Sequence, residues 1–232
     1  MRLKSSESSR SRNSRRHKLR IELLESRRLL AVATWDGGGA DDNWTTANNW
    51  AADVAPSAND DLVFPSGAAR AANVNNFTAG TQFGSVQISG SNYAITGNSV
   101  KLVGGVTSQG TGNSFAPNVQ LTGAGSIGQA GSSTFIVGGT IDLNGNNLSV
   151  NTPSGTTQFN GAISGTGNLS FGGLGQAVLA TNNSYTGSTS VTSGTLVVQT
   201  GGGLGTADGT ATTGTLLTND ASLRLVNSIT VA

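Results

Sequence analysis

The side chains able to do acid–base or nucleophilic chemistry are few in this chain, and they are scattered. The one histidine, His17, sits in an Arg/Ser-rich segment near the start. A Ser-His-Asp relay therefore has no base within the body of the chain. Glycoside hydrolysis needs two carboxyl groups facing each other across a cleft. After residue 62 only Asp142, Asp208 and Asp220 remain, each alone, and no Glu follows Glu25. No phosphate-cradling G-x-x-x-x-G-K-[ST] loop occurs. Cysteine is absent, which removes disulfides and thiolate metal sites. A polysaccharide-acting enzyme is the reading these residues serve least well, so no catalytic residue is assigned.

Two clusters near the front of the body carry the remaining chemistry. Asp36, Asp41 and Asp42 lie close together beside Asn43. Calcium takes six to eight oxygen ligands, and these carboxylates, like Asp60 and Asp61 further along, are where such an ion could sit. Their spacing fits neither an EF-hand nor a tandem calcium nonapeptide, and Asp in turns commonly bonds its own backbone. No other cofactor is implied. All three tryptophans, Trp35, Trp44 and Trp50, fall in the same window. Exposed indoles would make a carbohydrate-binding platform, each with a flat apolar face and an N–H handle. Alternatively, the three rings cap the open apolar end of a stacked fold.

Charge divides the chain into two parts. Residues 1–31 hold ten Lys/Arg against three Glu, whereas residues 32–232 hold three Lys/Arg against nine Asp. A nucleic-acid binder needs cations on its folded surface, so the acidic body argues against that partner. No stretch approaches the ~20 apolar residues of a membrane span. Charged residues are only 11% of the whole, about half the roughly 25% usual in soluble domains, yet 35% are hydrophobic. Disordered chains show the opposite balance. The basic arm, 1–33, is itself expected to be disordered. It ends on Ala31-Val32-Ala33, but Arg27 and Arg28 interrupt its apolar run, so a plain secretory signal does not fit.

From Gly84 onward, alternating apolar pairs recur between Gly/Asn/Ser turns. Clear examples are Val86/Ile88, Val100/Leu102, Val119/Leu121, Ile141/Leu143, Leu169/Phe171 and Leu196/Val198. Period-two alternation marks strands with one buried face. Strands this short build no deep core alone, but stacked along an axis their buried faces become continuous. The clear pairs recur at about twenty to twenty-eight residues, the size of one solenoid turn. An antiparallel sandwich would want regular Asn-Gly or Asp-Gly hairpins, and these are sparse.

Two stretches resemble known sequence families. Residues 165–198 carry Gly173, Gly175, Leu179, Asn183, Tyr185, Thr186, Gly187, Thr189, Val191, Gly194, Thr195 and Leu196. This pattern resembles the autotransporter-associated β-strand repeat of bacterial surface proteins, with Ala177 and Thr181 as departures. The resemblance implies a right-handed parallel β-helix outside the cell and no reaction. Leu24, Glu25, Arg27, Leu29 and Leu30 resemble the Leu-Glu-x-Arg-x-Leu-Leu targeting motif of planctomycete extracellular proteins, which usually has Pro where Ser26 stands. In the repeat proteins, Trp-bearing openings also precede the repeats.

The expected architecture is all-β: an export arm over 1–33, a Trp-bearing cap segment over 34–83 and a right-handed parallel β-helix over 84–232. The expected function is a non-catalytic structural or adhesive element, extracellular or on the cell surface, with a carbohydrate-binding module as the alternative. Cell-envelope components or surface glycans are the expected partners, without nucleic acid or a membrane span. The last apolar pairs, Leu223/Leu225 and Ile229/Val231, have no closing turn. They suggest a fragment, or a subunit that self-associates through an open C-terminal rung. Hydrogen exchange should find the amides of Arg10–Arg20 unprotected. Slow exchange there would contradict the reading of residues 1–31 as an arm.

Overall fold

In a computed structural model, which describes residues 31–206, 213–218, 220–226 and 229, the chain is a parallel β-solenoid of about 7 turns with almost no helix. The basic arm and the targeting residues Leu24, Glu25, Arg27, Leu29 and Leu30 lie outside the described residues. The middle turns visit three faces, and each strand pairs in parallel with its equivalent one turn away, 19 to 29 residues along the chain.

The first face is one long ladder. It runs from Val32–Thr34 and Asp61–Phe64 through the second halves of Thr81–Ile88 and Val100–Ser108. It continues along Gly125–Gln129, Leu148–Asn151, Leu169–Gly172 and Thr189–Val191 to Thr215–Leu217. The second face is an 8-stranded sheet from Ala72–Asn75 to Ser222–Leu225. The third face uses the first halves of the two long strands, followed by Val119–Leu121, Ile141–Asp142 and Ile163–Ser164.

Because side chains alternate along a strand, in-register stacking places like against like. On the first face Val86, Val106, Ile127, Val150, Phe171 and Val191 form one buried column. On the second, Ile95, Phe115, Val137, Phe159, Leu179 and Val198 form another, with larger and smaller side chains intermixed. Val100, Val119, Ile141 and Ile163 close the third side. Leu121, Leu143, Phe171 and Leu196, expected to point inward, all belong to this core.

Corners need backbone that side chains would obstruct. At the bend between the third and first faces, Gly105 has φ +101°, and a Cβ there would press into the Ser126 carbonyl one turn on. A side chain would therefore be strained twice, by its dihedral and by the neighbouring rung. The bend lets Val100–Ser108 act as one strand serving two faces.

Two features depart from the expected plan. The boundary expected at Gly84 falls inside Thr81–Ile88, and the ladders reach back to Val32. The Trp-bearing segment thus contributes strands to the same solenoid, because Asp61–Phe64 and Ala72–Asn75 pair directly with the rungs that follow. The core is also not wholly apolar. Ser108 and Gln129 continue the column of Ile88 inside the solenoid, and Asn113, Thr152 and Thr157 lie buried beside them. Asn113 Nδ2 donates to Ser108 Oγ at 3.0 Å, and the backbone N–H of Gln129 donates to Thr157 Oγ1 at 3.0 Å. Gln129 Nε2 donates to the Gly110 carbonyl at 2.8 Å, while its Oε1 has no partner. Among the described residues no helix is long and apolar enough to cross a membrane.

Leu143 is fully buried where the third face turns, so Leu143→Ala should cost roughly 2–5 kcal/mol as a core truncation. Chemical denaturation can check this. An unchanged midpoint would contradict the packing of that rung.

Candidate functional site

The aromatic window folds into the opening of the solenoid. Trp35, Trp44 and Trp50 are each 0% exposed. Trp35 and Trp50 meet edge to face at 5.2 Å between ring centroids, and Trp44 lies 5.6 Å from Phe64 and 5.9 Å from Phe83. Each indole N–H has an internal acceptor. Trp35 donates to the Arg70 carbonyl at 2.8 Å, Trp44 to Asn73 Oδ1 at 2.7 Å and Trp50 to the Trp44 carbonyl at 2.7 Å. Ring faces and N–H handles are both consumed by the fold. A sugar-stacking platform needs an exposed face, so the carbohydrate-binding role expected of Trp35, Trp44 and Trp50 is corrected to a packing role.

The loop carrying these rings is tied down by one cation. Arg70 Nη1 donates to the carbonyls of Gly37, Gly39 and Asp41, and its Nε lies 3.4 Å from Asp42 Oδ1. That ion pair is half-exposed and contributes little by itself. The carbonyl contacts hold the loop against the first rungs.

The three expected calcium ligands are employed separately. Asp36 Oδ1 accepts the Gly38 N–H at 3.0 Å, and Asp42 faces Arg70. Asp41 accepts from the Asn43 N–H, Asn43 Nδ2, Thr46 Oγ1 and Asn49 Nδ2. The Asn43 N–H, followed by the Thr46 hydroxyl, holds the Asp41 carboxyl below its ordinary 3.8. This stabilising contribution is in place above that value and is lost as pH falls through the lowered one. Among the described residues no three carboxylate or imidazole groups gather as a metal site. Asp36, Asp41 and Asp42 act as turn anchors, the ordinary local use of Asp.

Outside, the solenoid presents a neutral wall. On the first face Ser85, Gly105, Ser126, Ser149, Ser170 and Ser190 stand in one outward register. Strand spacing puts successive members roughly 4.8 Å apart. At another edge Asn147 Oδ1 accepts the Asn168 N–H at 3.0 Å, and Asn168 Oδ1 accepts the Ser188 N–H at 2.9 Å. These ladders escaped the sequence reading because single Ser and Asn residues carry no signal until the register aligns them.

Two tyrosines give the interior a titratable readout. Burial pushes both Tyr93 and Tyr185 up to about 12, and the Thr189 hydroxyl pulls Tyr185 slightly back. No family profile matches the chain, and comparisons with curated proteins and with solved structures give no match.

The tryptophan emission should be blue-shifted, shielded from acrylamide and unchanged by neutral oligosaccharides. Strong quenching in the folded protein would contradict burial of the rings. Stability should be unaffected by the tyrosines below pH 10 and should fall as pH rises from 10 towards 12, since folding disfavours the phenolate. Alkaline unfolding followed by circular dichroism checks this.

Proposed function

We propose that this protein is a non-catalytic structural or adhesive element, secreted or displayed on the cell surface. Its rod would meet cell-envelope components or surface glycans along the outer wall. The observation that carries this reading is the wall itself. It is a straight register of small hydroxyl, amide and glycine positions over successive rungs. Between Arg70 and Asp208 only Lys101 and Asp142 carry charge. Such a surface offers many weak neutral hydrogen-bonding groups spaced along a rigid axis, which suits extended contact with a polymer. The resemblance of residues 165–198 to the autotransporter-associated repeat supports the same reading, as does the targeting motif at Leu24, Glu25, Arg27, Leu29 and Leu30.

A peptide epitope inserted after Gly67, in an exposed turn with open space around it, gives a direct test. In the source cells an antibody should label that epitope without lysis. The combined changes Arg27→Ala, Leu29→Ala and Leu30→Ala should abolish the label. Labelling that appears only after lysis would overturn the surface assignment.

A further inference from the structure

Lys101 is the one cation between Arg70 and Arg224. It points outward on the third face, with Gln82 on the rung before and Gln120 on the rung after in the same register. Both amides are anchored away from it. Gln82 Nε2 donates to Asn59 Oδ1 at 2.6 Å, and Gln120 Nε2 donates to Asp142 Oδ2 at 2.8 Å. Lys101 itself has neither a carboxylate nor a hydrogen-bond partner, since the ion pair among the described residues is that of Arg70 with Asp42. Asp142 stands two rungs away, roughly 10 Å at ordinary strand spacing. The Asp142 Oδ2 is committed to Gln120 Nε2 rather than to the ammonium.

The lysine borders a shallow groove of about 250 Å³, also lined by Gly80, Ser99, Asn118 and Gln120. Gly80 forms its floor: φ is +79°, and the Lys101 Cε lies 3.8 Å from where a Cβ would be. The aliphatic stem thus crosses the glycine and leaves the ammonium at the groove, as long cationic side chains commonly do. Asn118 Oδ1 is occupied by the Thr140 N–H at 2.9 Å, which leaves its Nδ2 free to donate. The Ser99 hydroxyl is free as well. One positive charge, flanked by neutral amide and hydroxyl groups, matches a singly charged anion that carries hydroxyls. A phosphate dianion would call for more charge than one lysine supplies.

We propose that this groove binds the carboxylate of a uronic-acid residue in a polysaccharide, with Ser99 and Asn118 meeting the sugar hydroxyls. This deepens the reading of the outer wall as a glycan-contacting surface, and rests on it. The test is amide chemical-shift titration of the purified chain with oligogalacturonate, a neutral galactan oligomer of equal length, and free galacturonate. Oligogalacturonate should shift Gly80, Ser99 and Asn118 saturably at low salt, and high salt should weaken it. Lys101→Gln should bind about tenfold more weakly and Lys101→Arg close to wild type, as expected for loss or retention of one charge-assisted contact. Stronger binding of the oligomer than of free galacturonate identifies the polymer as the ligand. A monomer that binds as well identifies a small hydroxy acid and overturns the polymer. Equal binding of the neutral oligomer, unchanged by Lys101→Gln, overturns the Lys101 site but keeps the wall as a glycan surface. Absence of any shift overturns both.

Discussion

The described strands of this backbone cannot satisfy their own hydrogen bonds. Strand edges are met by the rung below and the rung above, in parallel register, 19 to 29 residues away along the chain. An unpaired buried peptide group is costly, so each turn must keep its strands in register with its neighbours', and the extra residues of longer turns go into the connections between strands. The consequences run through the molecule. Inward positions become columns, corners admit glycine where a Cβ would strike the next rung, and outward positions become ladders. Even the tryptophans obey the constraint, since their loop is held by hydrogen bonds to strands of the first rungs.

Register also explains what the amino-acid sequence disclosed. Pairs such as Val119/Leu121 and Leu169/Phe171 are local signals: alternation and size alone mark them as buried, and all four residues lie in the core. Their recurrence at the length of one turn pointed to stacking, and the parallel ladders agree. The long strands Thr81–Ile88 and Val100–Ser108 were less legible, because each shows one apolar pair, Val86/Ile88 or Val100/Leu102, and only a single inward apolar residue, Phe83 or Val106, across its bend. The buried polar group of Ser108, Asn113, Gln129, Thr152 and Thr157 was hidden for a related reason. A polar residue looks outward until the rung above fixes which way it faces.

The tryptophan window shows the limits of residue type as a guide. Three indoles together serve equally well as a platform or a plug, and composition cannot choose between them. The deciding facts are three-dimensional: Phe64 and Phe83 lie against the rings, and internal acceptors hold every N–H. Lys101 illustrates the converse. In sequence it is an unremarkable cation between two apolar positions, and its interest comes from the groove and the unpaired ammonium. The polar wall and the aromatic interior therefore divide the work. Rings pack the start of the solenoid, while small neutral groups cover its outward registers.

The stacking of rungs is tested most directly by interstrand amide contacts in nuclear Overhauser spectra of the purified chain. Parallel rungs predict contacts that link the strands holding Ile127, Val150, Phe171 and Val191 in succession, each to the next. Contacts that instead join sequence neighbours as antiparallel hairpins, such as Ile141–Asp142 with Leu148–Asn151, would contradict the solenoid.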